Sequence, residues 1–272
     1  MKRILPVFSF ILFSLVSNAG TVDTVSIFSN SMHRNIKCVV IKPDIYKHKI
    51  TKFPVVYFLH GYGGSYSNCI TRIPQLKEYA DTYGMIIVCP DGALSSWYLN
   101  SPVDSNFRYE THIAYEVVDY IDKHYKTLAD KNHRAITGLS MGGYGALFLS
   151  LRHPDIFGAA AAMSGAMDIS SLKGQFDIIK RVGDTIIHAG DWYKLSLVNM
   201  IGDYANTPVK IIFDCGIKDI FIDQNRRMHQ KMLELNIPHE YTERPGLHGW
   251  DYWRNSIPYH LFFFRNFFNI TR

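Results

Sequence analysis

The chain has 272 residues, 47% hydrophobic and 19% charged, a balance that supports a sizeable core and excludes a disordered or fibrous protein. Its formal charge of +5 is spread along the chain with no dense Lys/Arg run, which gives no case for a nucleic-acid partner. The four cysteines, Cys38, Cys69, Cys89 and Cys215, lack metal-ligand spacing, and most fall on or beside expected buried strands, where a thiol acts as a small unpaired hydrophobe.

The N-terminus has the form of a leader. Lys2 and Arg3 give a positive start, residues 4–16 an apolar run, and Ser17-Asn18-Ala19 a small-residue cleavage site. The run is short for a bilayer span. The expectation is a signal peptide at 1–19, export to the periplasm or beyond, and no membrane span after its removal. Residues 21–29 and 35–42 alternate apolar and polar side chains, the signature of two antiparallel strands. Residues 53–59 form a near-continuous apolar run, as in a strand buried on both faces, and lead into His60-Gly61-Tyr62-Gly63-Gly64-Ser65. A helix is predicted at 73–83 and a buried strand at 85–89. The loop at 95–102 follows the C-terminal edge of that strand, where open α/β sheets bind ligands, and offers Trp97 and Tyr98 as groove-lining candidates.

The apolar spacing predicts a helix over 109–125, with His112 and His124 as surface or internally satisfied residues. A strand at 134–137 feeds Ile136-Thr137-Gly138-Leu139-Ser140-Met141-Gly142-Gly143-Tyr144-Gly145, which reads as strand, sharp turn and helix (143–151). Small residues at 158–165 suggest a strand packed tightly against that helix. The pattern weakens from 166 to 207, with helix-like pieces including 192–203, and an insertion above the sheet edge is expected there. A strand at 209–216, a turn at 217–221, a helix at 223–235, a short strand at 239–244 and the loop Pro245-Gly246-Leu247-His248-Gly249-Trp250 precede a closing helix from Asp251. No repeat or Pro/Ser-rich linker divides the chain, so residues 20–272 read as one α/β domain. Its sheet is expected to be mostly parallel, with an antiparallel N-terminal strand pair and helices on both faces.

Gly138-x-Ser140-x-Gly142 fits the nucleophile-elbow pattern. A turn this tight drives its central residue to positive φ, so its neighbours must be small. A serine hydroxyl needs a base within hydrogen-bond reach, and the base needs a carboxylate to orient it. In this arrangement the chain order is serine, acid, histidine, which Ser140, Asp219 and His248 fit. Asp219 lies in a turn able to reach the histidine. Asp214 lies within the strand and reads as a structural carboxylate, with Asp223 and Asp251 as remoter alternatives. The amides of Tyr62 and Met141 are the expected oxyanion donors, and Trp250 joins Trp97 and Tyr98 as a substrate-contact candidate. No metal or organic cofactor is implied.

The segments HGYGGS, WYLNSP, GLSMGGYGA, CGIKDIF and GLHGWDYW together resemble the esterase D/feruloyl esterase family of α/β-hydrolases across nearly all of the mature chain. The resemblance implies carboxylic-ester hydrolysis. It carries the family's catalytic positions onto Ser140, Asp219 and His248, and its oxyanion donors onto Tyr62 and Met141. The family includes feruloyl and acetyl-xylan esterases, S-formylglutathione hydrolases and mycolyl transferases. Export argues against the glutathione branch and favours short acyl or feruloyl esters of carbohydrate. The competing readings are an acyltransferase to a sugar hydroxyl, a thioesterase like the S-formylglutathione hydrolases, and a non-catalytic carbohydrate-binding homologue.

Overall fold

The computed structural model describes residues 20–47, 50–172 and 174–269, so the expected signal peptide at 1–19 lies outside the described residues. The strands are β1 (Thr21–Ser29), β2 (Arg34–Lys42), β3 (Val55–Leu59), β4 (Ile86–Pro90), β5 (Arg134–Leu139), β6 (Ala159–Met163), β7 (Lys210–Gly216) and β8 (Glu240–Arg244). They form one sheet in the order β1-β2-β4-β3-β5-β6-β7-β8. β1 pairs antiparallel with β2, and β2 antiparallel with β4. Every pairing from β4 to β8 is parallel.

The helices are α1 (Asn68–Thr71), α2 (Leu76–Tyr83), α3 (Tyr109–Thr111), α4 (Val118–His124), α5 (Met141–Arg152), α6 (Ile179–Val182), α7 (Ala189–Lys194), α8 (Leu197–Met200), α9 (Ile222–Glu234) and α10 (Trp250–Phe267). The strand period of two sorts the core between the faces. Val55, Tyr57 and Leu59 of β3 pack with Val117, Ile121, Leu147 and Met228, on the side of α4, α5 and α9. Val56 and Phe58 face the other way, onto Leu76, Ala80, Trp253 and Leu261 of α2 and α10. This explains why β3, β4 and β6, buried throughout, read as near-continuous apolar runs, while the equally buried β5 admits Arg134 and Thr137, which pair with Asp122 and His260. All four cysteines are buried and unpaired. Among the described residues no helix is long and apolar enough to cross a membrane.

Three predicted elements differ in detail. The helix expected at 73–83 starts at Leu76; Pro74 disfavours helical geometry at Ile73 before it. The helix over 109–125 is continuous in path, but residues His112–Val117 take the wider π form between α3 and α4. The helix expected at 192–203 is cut at Ser196, whose backbone is extended and whose hydroxyl donates to Asp168 Oδ1 at 2.7 Å. The chain there becomes α7, α8 and a one-turn 3₁₀ helix, Ile201–Tyr204.

Glu116, in the π segment, ties this helix to the β1–β2 turn. Its Oε1 accepts from the Ser31 amide at 2.8 Å and its Oε2 pairs with His112 Nδ1 at 2.8 Å. Burial alone would raise this carboxyl; hydrogen bonds from His112, Ser29 and Ser31 outweigh it and bring the pKa down to about 2. A carboxyl depressed in the folded state contributes stability above its unfolded pKa and loses it as pH falls towards the folded value. The melting temperature should therefore fall as pH drops from about 4.5 towards about 2. Glu116→Gln should melt lower at neutral pH yet lose less across that acid window, and identical acid slopes for the two proteins would contradict the assignment.

Candidate active site

Ser140 sits between β5 and α5 with φ 56° and ψ −119°, outside the regions a non-glycine residue favours. Its amide donates to Met163 O at 2.9 Å, which ties the strained residue to β6. The turn closes only because its flanking residues lack a Cβ. A Cβ on Gly142 would lie 2.2 Å from Leu59 O, and one on Gly138 would lie 2.4 Å from Gly142 O. Ser140 thus stands at the C-terminal edge of the central strands and at the N-terminus of the 12-residue α5.

The loops after β7 and β8 are stitched together. Ile217 N donates to Arg244 O at 2.9 Å and Lys218 N to Gly246 O at 3.0 Å. This pairing brings Asp219 under His248. Both Asp219 oxygens lie 2.9 Å from His248 Nδ1, and Oδ1 also accepts the Phe221 amide at 2.8 Å. With Nδ1–H donating to the carboxylate, Nε2 is left as an acceptor, 2.9 Å from Ser140 Oγ. Phe221 and Trp253 meet the imidazole edge-on, each with ring centroids 5.0 Å from it, and fix its plane. Asp219 is buried and His248 partly open. The three residues favoured from the sequence therefore meet in one place, in the order acid, imidazole, hydroxyl.

A pocket of about 280 Å³ opens over Ser140, lined by Gly61 to Gly64, Asn68, Arg72, Leu139, Phe176, His248, Trp250 and Trp253. Tyr62 lines it, and Met141 follows Ser140 directly as the first residue of α5. Neither backbone N–H donates to another group among the described residues, and Met141 N–H is one of the amides that a helix start leaves without an intrahelical acceptor. The loop carrying Tyr62 is held from below. His60 is buried, which lowers its pKa and keeps the ring neutral. Its Nδ1 donates to Gly61 O and its Nε2 accepts from Gly92 N, both at 2.8 Å. Larger grooves of about 510 and 540 Å³ lie along the edge strands β1 and β8, away from Ser140.

Of the three aromatic contact candidates, only Trp250 lines the pocket. Trp97 and Tyr98 do not. They are 1% and 0% exposed, because the 95–102 loop folds inward and packs both rings into the core. Both support the site from behind. Tyr98 hydroxyl donates to His60 O at 2.9 Å, under the oxyanion-loop candidate, and Trp97 Nε1 donates to Phe176 O at 3.0 Å. Phe176 is the wall residue that sequence reading missed. It lies in the weakly patterned 166–207 segment, at φ 53°, with its ring 5.5 Å from that of Tyr62. Tyr62 hydroxyl also reaches Asp177 Oδ2 at 3.3 Å. Arg72 and Asn68 had no motif to mark them, whereas Trp253 belonged to the GLHGWDYW segment.

The eight-stranded sheet, the strained serine at the strand–helix turn and the histidine and aspartate delivered by the last two strand-end loops define an α/β-hydrolase. The chain belongs to the esterase family described as "Putative esterase", whose model matches residues 29–264. It is 28% identical over 239 residues to an esterase of Mycobacterium tuberculosis, covering 77% of this chain and 51% of that protein, so it spans about half the length of this relative. An acetyl esterase of Caldicellulosiruptor saccharolyticus is 26% identical over 254 residues, covering 86% of this chain and 94% of that one. The solved structure of a ferulic acid esterase matches with a TM-score of 0.80 and 29% identity, over 92% of this chain and 99% of the other.

Asp214, expected to be structural, anchors the helix that holds the pocket's tryptophans. It is buried at the end of β7. Its Oδ1 accepts from Tyr252 at 3.0 Å; its Oδ2 accepts from Arg244 at 3.0 Å, from His260 at 2.9 Å, and from the hydroxyl of Ser256. Tyr252, Ser256 and His260 recur every four residues, so one stripe of α10 docks on one carboxylate. Burial would raise this carboxyl, and His260, Ser256 and Arg244 hold it below the usual range instead. Asp214→Ala strands a guanidinium and an imidazole in a largely buried place. We expect it to cost about 3 kcal/mol in denaturant unfolding, the scale for breaking a buried pair; a loss below about 1 kcal/mol would remove Asp214 from this role.

Proposed function

We propose that this protein is an exported serine carboxylic-ester hydrolase that works through an acyl-enzyme, on short acyl or feruloyl esters of carbohydrates. The observation that carries the chemistry is the unbroken relay from Asp219 through His248 to Ser140 Oγ, with two unengaged backbone amides beside it. Ser140 Oγ attacks the ester carbonyl as His248 Nε2 takes its proton, and Asp219 stabilises the resulting imidazolium. The Tyr62 and Met141 amides receive the oxyanion, each such donor lowering the barrier by roughly 3 kcal/mol. His248 then returns the proton to the leaving alcohol. Water, activated by the same imidazole, attacks the acyl carbonyl and releases the acid and free Ser140. All four cysteines are buried, and burial pushes the thiols of Cys38 and Cys89 well up, which leaves them poor competing nucleophiles.

Substrate class rests on the pocket walls and on the relatives. Tyr62, Phe176, Trp250 and Trp253 offer flat apolar faces suited to an aryl acyl group or a sugar ring. The acetyl esterase and ferulic acid esterase likenesses point the same way. Export rests on Lys2-Arg3, the apolar residues 4–16 and Ser17-Asn18-Ala19.

The test is turnover of a chromogenic acetate ester and of methyl ferulate, with mass spectrometry after fluorophosphonate treatment. The wild-type protein should hydrolyse esters and carry one adduct, on Ser140. Ser140→Ala should lose turnover by about 10⁶-fold and take no adduct, and Asp219→Asn should lose about 10⁴-fold. Undiminished turnover in Ser140→Ala would end this reading.

A further inference from the structure

Arg72 is the permanently charged residue on the wall of the pocket over Ser140. Its backbone is held on both sides. Its amide donates to Asn68 O at 2.9 Å, and its carbonyl accepts from Arg254 Nε at 2.9 Å, which ties it to α10. The next residue, Ile73, is buried in the core. The guanidinium carbon lies 5.9 Å from the centre of the Trp250 ring, so the head group is kept against the pocket's own aromatic wall. Among the described residues no carboxylate lies within ion-pair distance of it. The neighbouring charges are already matched: Arg254 pairs with Asp251 at 3.1 Å, and Asp177, across the mouth, pairs with Lys180 at 2.9 Å. Asn68 stands beside it on the same wall, its Oδ1 engaged by the Ser65 amide at 2.8 Å, which turns its amide nitrogen to donor duty elsewhere.

We propose that Arg72 and Trp250 form a subsite for a carboxylate-bearing sugar, so that the preferred ester is carried on a uronate-containing saccharide. The inference rests on the esterase reading and narrows its substrate class. A uronate presents to this wall both an apolar sugar face, which Trp250 can cover, and a planar carboxylate, which a guanidinium binds through two parallel hydrogen bonds. A neutral sugar leaves the cation unmatched. Because Arg72 is exposed to solvent, the attraction is screened by salt. Arg72 is a specificity residue in this scheme and takes no part in bond making or breaking.

The test compares acetyl esters of an oligogalacturonate with the matching neutral oligogalactoside, at low and high salt. For the wild-type protein, kcat/KM should favour the uronate ester, and the preference should shrink at high salt. In Arg72→Gln the ratio of the two kcat/KM values should drop about tenfold, the scale for a charge-assisted bidentate contact. Arg72→Lys should retain part of the preference. A ratio unchanged by Arg72→Gln, or a wild-type protein indifferent to the carboxylate, overturns the proposal. A second measurement does not depend on turnover. By calorimetry, Ser140→Ala should bind unesterified oligogalacturonate more tightly than the neutral oligomer, and the Ser140→Ala/Arg72→Gln double variant should not. Arg72-dependent binding without ester hydrolysis would sustain the subsite while removing the esterase reading. Hydrolysis without that binding would do the reverse.

Discussion

The site depends on one close approach of backbone to backbone. At the elbow, Leu59 of β3, Gly138 of β5 and Gly142 of α5 come so near that no Cβ fits between them. This lets the chain reverse within a few residues and leaves Ser140 at φ 56° with its hydroxyl presented to the pocket and to His248. The strain is held by what surrounds it. The amide of Ser140 is bonded to β6, α5 is buried along nearly its whole length, and the all-alanine stretch of β6 gives that helix room to lie close. A looser elbow would relax Ser140 towards ordinary geometry and withdraw its hydroxyl from His248.

Two carboxylates on and just beyond the same strand end divide the remaining work by environment. Asp214, still within β7, points into the layer between sheet and α10, where four donors surround it. Asp219, beyond the strand in a turn, meets the imidazole and one backbone amide. The first holds the helix that carries Trp250 and Trp253. The second holds the ring against which Trp253 packs. The support of the site and its chemistry thus run through the same helix and the same strand, and disturbing either carboxylate is felt at His248 by a different route.

Much of this was legible in the sequence because it is written in backbone chemistry. Glycines at fixed spacing around Ser140, a Gly-rich turn after the third strand and a Gly-flanked histidine after the last one have few other uses in combination. The sheet was legible because strands buried on both faces must be continuously apolar. The order serine, acid, histidine admits both Asp214 and Asp219, and the place of Asp219 in the turn beyond the strand, against that of Asp214 within it, chose between them. Trp97 and Tyr98 misled because an aromatic pair in a strand-end loop has the same composition whether the loop turns out or in. The burial of Tyr98 depends on Gly92 and Gly145, where a Cβ would lie 2.5 and 2.4 Å from its atoms, a packing relation between distant residues. Phe176 and Arg72 were invisible for a related reason, since nothing local distinguishes a wall residue from any other phenylalanine or arginine.

The 166–207 segment shows how an irregular stretch can still be placed firmly. Its short helices have little intrinsic stability, and Phe176 and Asp177 both sit at positive φ. Neither residue has the glycine's freedom there, so the conformation must be imposed from outside. The indole of Trp97 takes the Phe176 carbonyl, the Tyr62 hydroxyl reaches Asp177, and Phe221 meets the Phe176 ring with centroids 6.2 Å apart. Each of those three partners also belongs to, or lies beside, a part of the site: Tyr62 lines the pocket over Ser140, Phe221 packs on His248, and Trp97 adjoins the tyrosine under the Gly-rich loop. The wall above Ser140 and the groups around it therefore share their supports. A substitution at Phe176 would therefore act on the Gly-rich loop and, through Phe221, on the imidazole as well as on the pocket's shape.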